Sequence, residues 1–175
     1  RVGMDYLQNN ARVIAKEGVP IHWVTPVGFP VYQYYPEMKS KRVCSHVMGE
    51  VFAPQIKVEK DETEKLRSRN AVAANYVHSL DSACMVRTVN IAKEKGIENF
   101  CNVHDSFATH ACDIDKLNES IREAFVGIFQ QNLLRSFTLD VGLQLDTETK
   151  EKLPAIPESG NLELDLLHKS KFFFA

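Results

Sequence analysis

An α+β architecture is what this sequence predicts, and three observations carry it. Apolar residues recur at helical spacing over residues 2–17. From residue 21 to 58 the pattern changes to short β-type runs separated by Pro and Gly. Over residues 97–111 two further extended runs meet at an acidic turn, His104-Asp105-Ser106, with a helical pattern on either side.

The first helix places Leu7, Ala11, Ile14 and Ala15 on one side and stops at Gly18. Ile21-His22-Trp23-Val24 reads as a strand, and Pro26-Val27-Gly28-Phe29-Pro30 is turn chemistry. Val31-Tyr32-Gln33-Tyr34-Tyr35 is a second extended run, closed by Pro36. Residues 43–48 and 51–58 flank Gly49-Glu50 as a hairpin, with a longer excursion near Pro54 as the alternative. The mixed-sign stretch 57–70 reads as solvated surface. Ser79 is placed as the cap of a helix running to Lys95 and ending at Gly96. After the acidic turn, Asp113 or Asp115 caps a helix with Leu117, Ile121, Phe125, Ile128 and Leu133 as its periodic positions. Pro154 and Pro157 mark an extended link to a Leu-rich stretch, 162–167, and to the apolar end Phe172-Phe173-Phe174-Ala175.

Composition narrows the function classes. Hydrophobic residues make up 44% of the chain, enough for a sizeable core. A net charge of −2, from 21 basic and 23 acidic residues, argues against a free-standing nucleic-acid module but not against a piece bordering a basic cleft. Cys44, Cys84, Cys101 and Cys112 show no C-x-x-C spacing, so buried or half-buried thiols are expected rather than zinc ligands or disulfides. No apolar run is long enough to span a bilayer and no signal-peptide pattern is present, so no membrane partner is expected. A start at Arg1, in what reads as a helix already under way, suggests a piece of a longer protein.

Asp105 sits where a short apolar β-type segment must turn. A carboxylate held there suits a hard cation such as Mg²⁺, which takes oxygen ligands and keeps waters for substrate phosphates. The order helix, β-turn-β with an acid at the tip, helix resembles part of a polymerase palm. In a palm, carboxylates hold two metal ions that stabilise the attacking and leaving oxygens of phosphoryl transfer.

Four stretches make the resemblance specific: Trp23-Val24-Thr25-Pro26-Val27-Gly28-Phe29-Pro30-Val31, Asn75-Tyr76-Val77-His78-Ser79-Leu80-Asp81, His104-Asp105-Ser106-Phe107 and Phe172-Phe173-Phe174-Ala175. In order and spacing they resemble the bacteriophage-type single-subunit DNA-dependent RNA polymerases, with His104-Asp105-Ser106-Phe107 as that family's motif C. The resemblance implies that Asp105 is the second of two metal-holding aspartates and that His104 supports the geometry of the turn. It implies that His78 lies in the minor groove of the RNA–DNA hybrid. Residues 42–60 match the β-hairpin specificity loop that reads promoter DNA, with Glu50, Phe52 and Gln55 near its reading strands. The aromatic end matches the C-terminal foot. The implied organisation is 1–36 leading into the loop, 37–70 the loop hairpin and charged connection, 71–150 the palm part with motif C, and 151–175 the foot. The implied partners are DNA template and promoter, nascent RNA, ribonucleoside triphosphates and the rest of the polymerase, with Mg²⁺ as cofactor.

The family's motif A Asp and its nucleotide-binding helix with Lys and Tyr have no counterpart in this sequence, so the chain alone is expected to be silent. The Gly28-Phe29-Pro30 version and the final Ala175 point to a phage enzyme in the bacterial cytoplasm, with a mitochondrial or plastid location if the chain is of the organellar branch.

Other readings compete. A metal-dependent phosphohydrolase of the HD type also uses a His-Asp pair, but on a helix and with further ligands. Related DNA polymerases carry Glu after His-Asp, where this chain has Ser106. A non-catalytic, nucleic-acid-binding remnant is a third option. At single positions, Asp105 alternates with a turn residue bonding local amides, His104 with a core histidine and His78 with a helix-flanking residue. Trp23, Phe29 and Tyr32 are expected in the core rather than as a stacking platform. His22, His46, His110 and His168 share no spacing and are read as ordinary residues.

Overall fold

The computed structural model describes residues 2–173, which form helices and two-stranded antiparallel hairpins, as an α+β chain should. Helix α1, Val2–Lys16, buries Tyr6, Leu7, Asn10, Ala11, Ile14 and Ala15, the stripe its spacing dictates. Gly18 ends it with φ +75°.

Strands β1 (Ile21–Val24) and β2 (Pro30–Gln33) pair antiparallel across a turn held by Thr25, whose Oγ1 accepts from the Phe29 N–H at 3.0 Å. Only one face of this hairpin is covered. Ile21, Trp23 and Gln33 point inward and are buried, while His22 and Tyr32 stack on the outer face with centroids 6.1 Å apart. The alternation of a strand therefore corrects the expectation for two aromatics: Phe29 and Tyr32 are exposed, and Trp23 alone of the three is in the core.

A long ribbon follows. Strand β3 (Pro36–Arg42) pairs with β6 (Gln55–Thr63), and the tip is a second hairpin of β4 (Ser45–Val47) and β5 (Glu50–Phe52). Met48 and Gly49 at the tip both have positive φ, 51° and 86°, as a type I′ turn requires. The ribbon is thus longer than a hairpin centred on Gly49-Glu50 alone, and it incorporates the excursion near Pro54.

Helix α2, Lys65–Glu94, is 30 residues long, or about 45 Å. It corrects the placement of Ser79 as a cap: the helix starts at Lys65, and Ser79 lies in its interior, 8% exposed. The charged stretch 57–70 is ordered secondary structure, half strand and half helix, because β6 delivers the chain to Glu64, whose N–H donates to the Tyr35 carbonyl at 2.7 Å. The helix stops at Gly96, φ +85°, with the Ile97 N–H returning to the Ala92 carbonyl at 3.0 Å.

Strands β7 (Cys101–Val103) and β8 (Ser106–Ala108) form the expected hairpin around His104-Asp105. A 3₁₀ turn, Ala111–Asp113, leads into α3, Ile114–Phe129. The expected helix does not continue to Leu133. Asn132 interrupts it and caps a new helix, α4 (Leu133–Leu143), by accepting from the Arg135 N–H at 3.1 Å. Asp146 likewise caps the short α5, Thr147–Lys150. Beyond the prolines, Leu164–Lys169 is a 3₁₀ segment against α3. Phe174 and Ala175 lie outside the described residues.

Two apolar clusters organise these parts. The larger joins α1, β1, α2 and α4 around Trp23, whose ring meets Tyr76 at 5.8 Å and Phe137 at 5.7 Å, both edge-on. The smaller, Ala92, Ile97 and Leu117 with Phe100, Phe107 and Ile121, lies where α2 and α3 meet the β7–β8 hairpin. Three of the four cysteines, Cys44, Cys101 and Cys112, are exposed rather than buried, because each lies on a hairpin or a turn. Cys84 is half-buried on α2, and burial together with Asp81 raises its thiol pKa to about 11.

Candidate metal-binding hairpin and nucleic-acid cleft

The β7–β8 hairpin is short but anchored. Phe107, paired with Asn102, packs with Phe100 onto the apolar cluster of α2 and α3, so the hairpin tip is held by its base. The two loop residues are His104 and Asp105. His104 has φ 52°, the left-handed region, which for a residue with a Cβ costs roughly 1–2 kcal/mol. Both side chains are exposed. His104 is therefore not a core histidine. Among the described residues, the Asp105 carboxylate takes part in no hydrogen bond and no ion pair, which sets aside the alternative of a turn residue bonding local amides. Its oxygens are free to meet an external cation.

A second feature lies between the β1–β2 hairpin and α2. An open cleft of about 790 Å³ has Thr25, Val27, Gly28, Phe29 and strand β2 on one wall. The other wall is Asn75, His78, Ser79, Ser82, Ala83 and Val86. Those positions recur three or four apart, one stripe of a helix. His78 thus sits on the cleft wall in the middle of α2, not at a helix end. The walls are cross-braced. The Asn75 amide donates to Gln33 Oε1 at 2.9 Å and to the Tyr35 hydroxyl at 3.1 Å, and Gln33 donates to the Ser68 carbonyl at 2.7 Å. Behind the cleft, Trp23 Nε1 donates to Ser79 Oγ at 3.0 Å. Tyr76 donates to the Leu133 carbonyl at 2.9 Å, and burial pushes its phenol pKa above the ordinary value.

Glu50, Phe52 and Gln55 all lie on the exposed ribbon. Glu50 and Phe52 alternate on β5 and share a face; Gln55 opens β6 opposite Arg42. The sequence-derived residues stand on three different elements, His78 on α2, Glu50, Phe52 and Gln55 on the ribbon and Asp105 in the β7–β8 turn, and among the described residues no hydrogen bond or ion pair joins them. The same residues contain no group of three or more His, Cys, Asp or Glu able to hold a metal by themselves. A hard cation would find one exposed carboxylate at Asp105 and not a complete cage. The HD-type alternative fails on geometry, since its His-Asp pair belongs on a helix and this pair tops a hairpin.

Sequence reasoning missed most of the cleft. Starting the helix at Ser79 hid the stripe that runs from Asn75 to Val86; a helical wheel begun at Lys65 exposes it.

The family model for DNA-dependent RNA polymerase matches residues 1–152. The chain belongs to that family, in its phage-type branch. It is 38% identical over 178 residues to the chloroplastic/mitochondrial DNA-directed RNA polymerase 2 of Arabidopsis thaliana, a match covering 99% of this chain and 16% of the relative. It is 36% identical to the chloroplastic/mitochondrial polymerase 2B of Nicotiana tabacum, over 98% of this chain and 16% of the relative. It is also 36% identical to the DNA-directed RNA polymerase 2A of Nicotiana tabacum, over 98% of this chain and 49% of the relative. The chain thus spans about one sixth of the first two relatives and about half of the third. Family membership sets aside the DNA-polymerase alternative. Two of these relatives are named as organellar enzymes, which lends nothing to the expectation of a phage protein in the bacterial cytoplasm. No helix among the described residues is long and apolar enough to cross a membrane.

Proposed function

We propose that this chain is the C-terminal part of a DNA-dependent RNA polymerase that transfers ribonucleotides from their triphosphates to an RNA 3′ end under direction of a DNA template. One observation carries the reading: an exposed, unpartnered Asp105 carboxylate stands at the tip of a hairpin that Phe100 and Phe107 fix to two helices. Asp105 supplies one carboxylate to the metal site, and a second Asp comes from outside this chain. Mg²⁺ bound there neutralises charge on the phosphate oxygens during transfer. His104 holds the turn in its left-handed conformation. The cleft wall with His78 receives the RNA–DNA hybrid at its minor groove, where acceptors common to all base pairs allow sequence-independent contact. The ribbon residues Glu50, Phe52 and Gln55 belong to the element that meets promoter DNA, since a two-stranded ribbon is one of the shapes the major groove admits. By itself the chain is silent, for want of the second Asp and the nucleotide-binding helix. Its place is a mitochondrion or plastid, by likeness to its organellar relatives.

The test is reconstitution. A companion polypeptide carrying the missing Asp and nucleotide helix is combined with this chain, and Mg²⁺-dependent RNA synthesis on a DNA template is measured. Activity that needs both chains supports the reading. A correctly folded complex that makes no RNA from ribonucleoside triphosphates overturns it.

A further inference from the structure

Arg122 is a buried cation, 8% exposed, and among the described residues no carboxylate lies within ion-pair distance of it. A guanidinium in that position is costly unless its donors are satisfied. Its Nε donates to Asn118 Oδ1 at 2.7 Å, one turn back on α3. A terminal nitrogen donates to the Leu167 carbonyl, 45 residues along the chain. Its Cζ lies over the Phe173 ring, 5.3 Å from the centroid. Around this centre, Phe173 meets Phe125 edge-on at 5.1 Å, and the Gln130 amide donates to Asp165 Oδ1 at 2.6 Å. Every one of these contacts joins α3, or Gln130 just past its end, to the segment 164–173 or supports one that does.

The opposite duty of α3 lies on its neighbouring face. Leu117 and Ile121 pack in the cluster that includes Phe100 and Phe107, the residues that anchor the Asp105 hairpin. Leu117 and Ile121 share their cluster with the hairpin anchors; Arg122 and Phe125 reach the C-terminal segment. One helix therefore holds both, and its packed side chains leave little room for either to shift alone.

We propose that Arg122 is a positioning residue that fastens the segment 164–173 to α3 and so fixes that segment relative to the Asp105 hairpin. The fastening stands on these contacts alone; its effect on catalysis rests on the polymerase reading. Arginine is required because its fork and flat face serve an amide oxygen, a carbonyl and a ring at once, whereas lysine offers a point charge.

The experiment compares Arg122→Met and Arg122→Lys in the complete polymerase that contains this chain, by amide hydrogen exchange and by steady-state RNA synthesis. Arg122→Met should speed exchange across residues 164–173 by about tenfold or more, as an opened local segment does. Exchange in α2 and in the β7–β8 hairpin should stay within about twofold of the parent, which separates loosening from unfolding. The kcat should fall about 10- to 100-fold, the scale of a small displacement near the chemistry, with nucleotide KM nearly unchanged. Arg122→Lys should stay near the Met variant. The proposal is overturned by unchanged exchange in 164–173, by full activity despite a loosened segment, by recovery with Lys, or by exchange rising equally throughout. If the parent enzyme makes no RNA, the polymerase reading falls while the exchange arm still decides the fastening.

Discussion

Replacing Ser79 by Ala tests whether the cleft wall is fastened to the core as the structure implies. Ser79 Oγ accepts from Trp23 Nε1 at 3.0 Å and donates to the Tyr76 carbonyl at 2.7 Å, and Trp23 is only 1% exposed. Alanine leaves the indole N–H without its acceptor, at a cost of about 1–3 kcal/mol. Losing the bond to Tyr76 matters less, since that carbonyl sits in a helix with a backbone partner available. Alanine also returns about 0.5 kcal/mol of helix propensity inside α2. The net is a loss of about 1–2 kcal/mol, or roughly 2–8 °C in Tm for a chain of this size. Urea unfolding followed by Trp23 fluorescence measures it, Trp23 being the single tryptophan. A cycle with Trp23→Phe isolates the pair, since Phe retains most of the ring but cannot donate; a coupling of about 1 kcal/mol is expected. A coupling near zero, with Ser79→Ala neutral, would refute the claim that this bond ties the cleft wall to the core.

Three other outcomes follow from the same geometry. Phe107→Ala should cost about 2–3 kcal/mol, less than a fully buried phenylalanine because Phe107 is half-buried, and thermal unfolding should register it. With iodoacetamide at neutral pH, mass spectrometry should find Cys44, Cys101 and Cys112 labelled well ahead of Cys84, whose pKa of about 11 keeps it protonated. The hydroxyl and backbone N–H of Thr149 hold the Asp146 carboxyl below its ordinary pKa. Because the folded value is the lower one, this cap contributes fully above the unfolded Asp pKa and is lost as pH falls through the folded value. Asp146→Asn should therefore flatten the acid limb of the stability profile below about pH 4.

Much of the fold is written in local pattern. The α1 stripe, the Thr25–Phe29 turn and the β7–β8 hairpin each follow from a few adjacent residues, and each forms where those residues place it. The misreading at Ser79 has one cause: a distant partner decided it. Ser79 looks like a cap because serine often is one, but here its hydroxyl is used by Trp23, 56 residues away. The run 57–70 is mostly exposed, as its charge density suggests, and what the charge pattern does not show is its regular structure, with β6 paired to β3 and Glu64, just before α2, bonded to the Tyr35 carbonyl. Leu133 fits the periodicity of α3, and only the local cap at Asn132 assigns it to α4. At the site, the Asp105 turn was readable because chemistry and conformation fall on neighbouring residues. The cleft and the Arg122 contacts were not, since they assemble side chains from β2, α2, α3 and the C-terminal segment.

The central claim is that Asp105 serves as a metal carboxylate in RNA synthesis, and one comparison bears on it most directly. In the complete polymerase, Asp105→Asn is measured beside Asp115→Asn, an exposed acid on the first turn of α3, across a Mg²⁺ titration. The amide introduced by Asp105→Asn keeps the shape of the turn but loses the charge that a hard cation requires. RNA synthesis should fall by about 10³-fold or more with Asp105→Asn, at every Mg²⁺ concentration, while Asp115→Asn stays within about threefold of the parent. Equal activity of the two variants, with the Asp105 hairpin still folded by hydrogen exchange, would contradict the account.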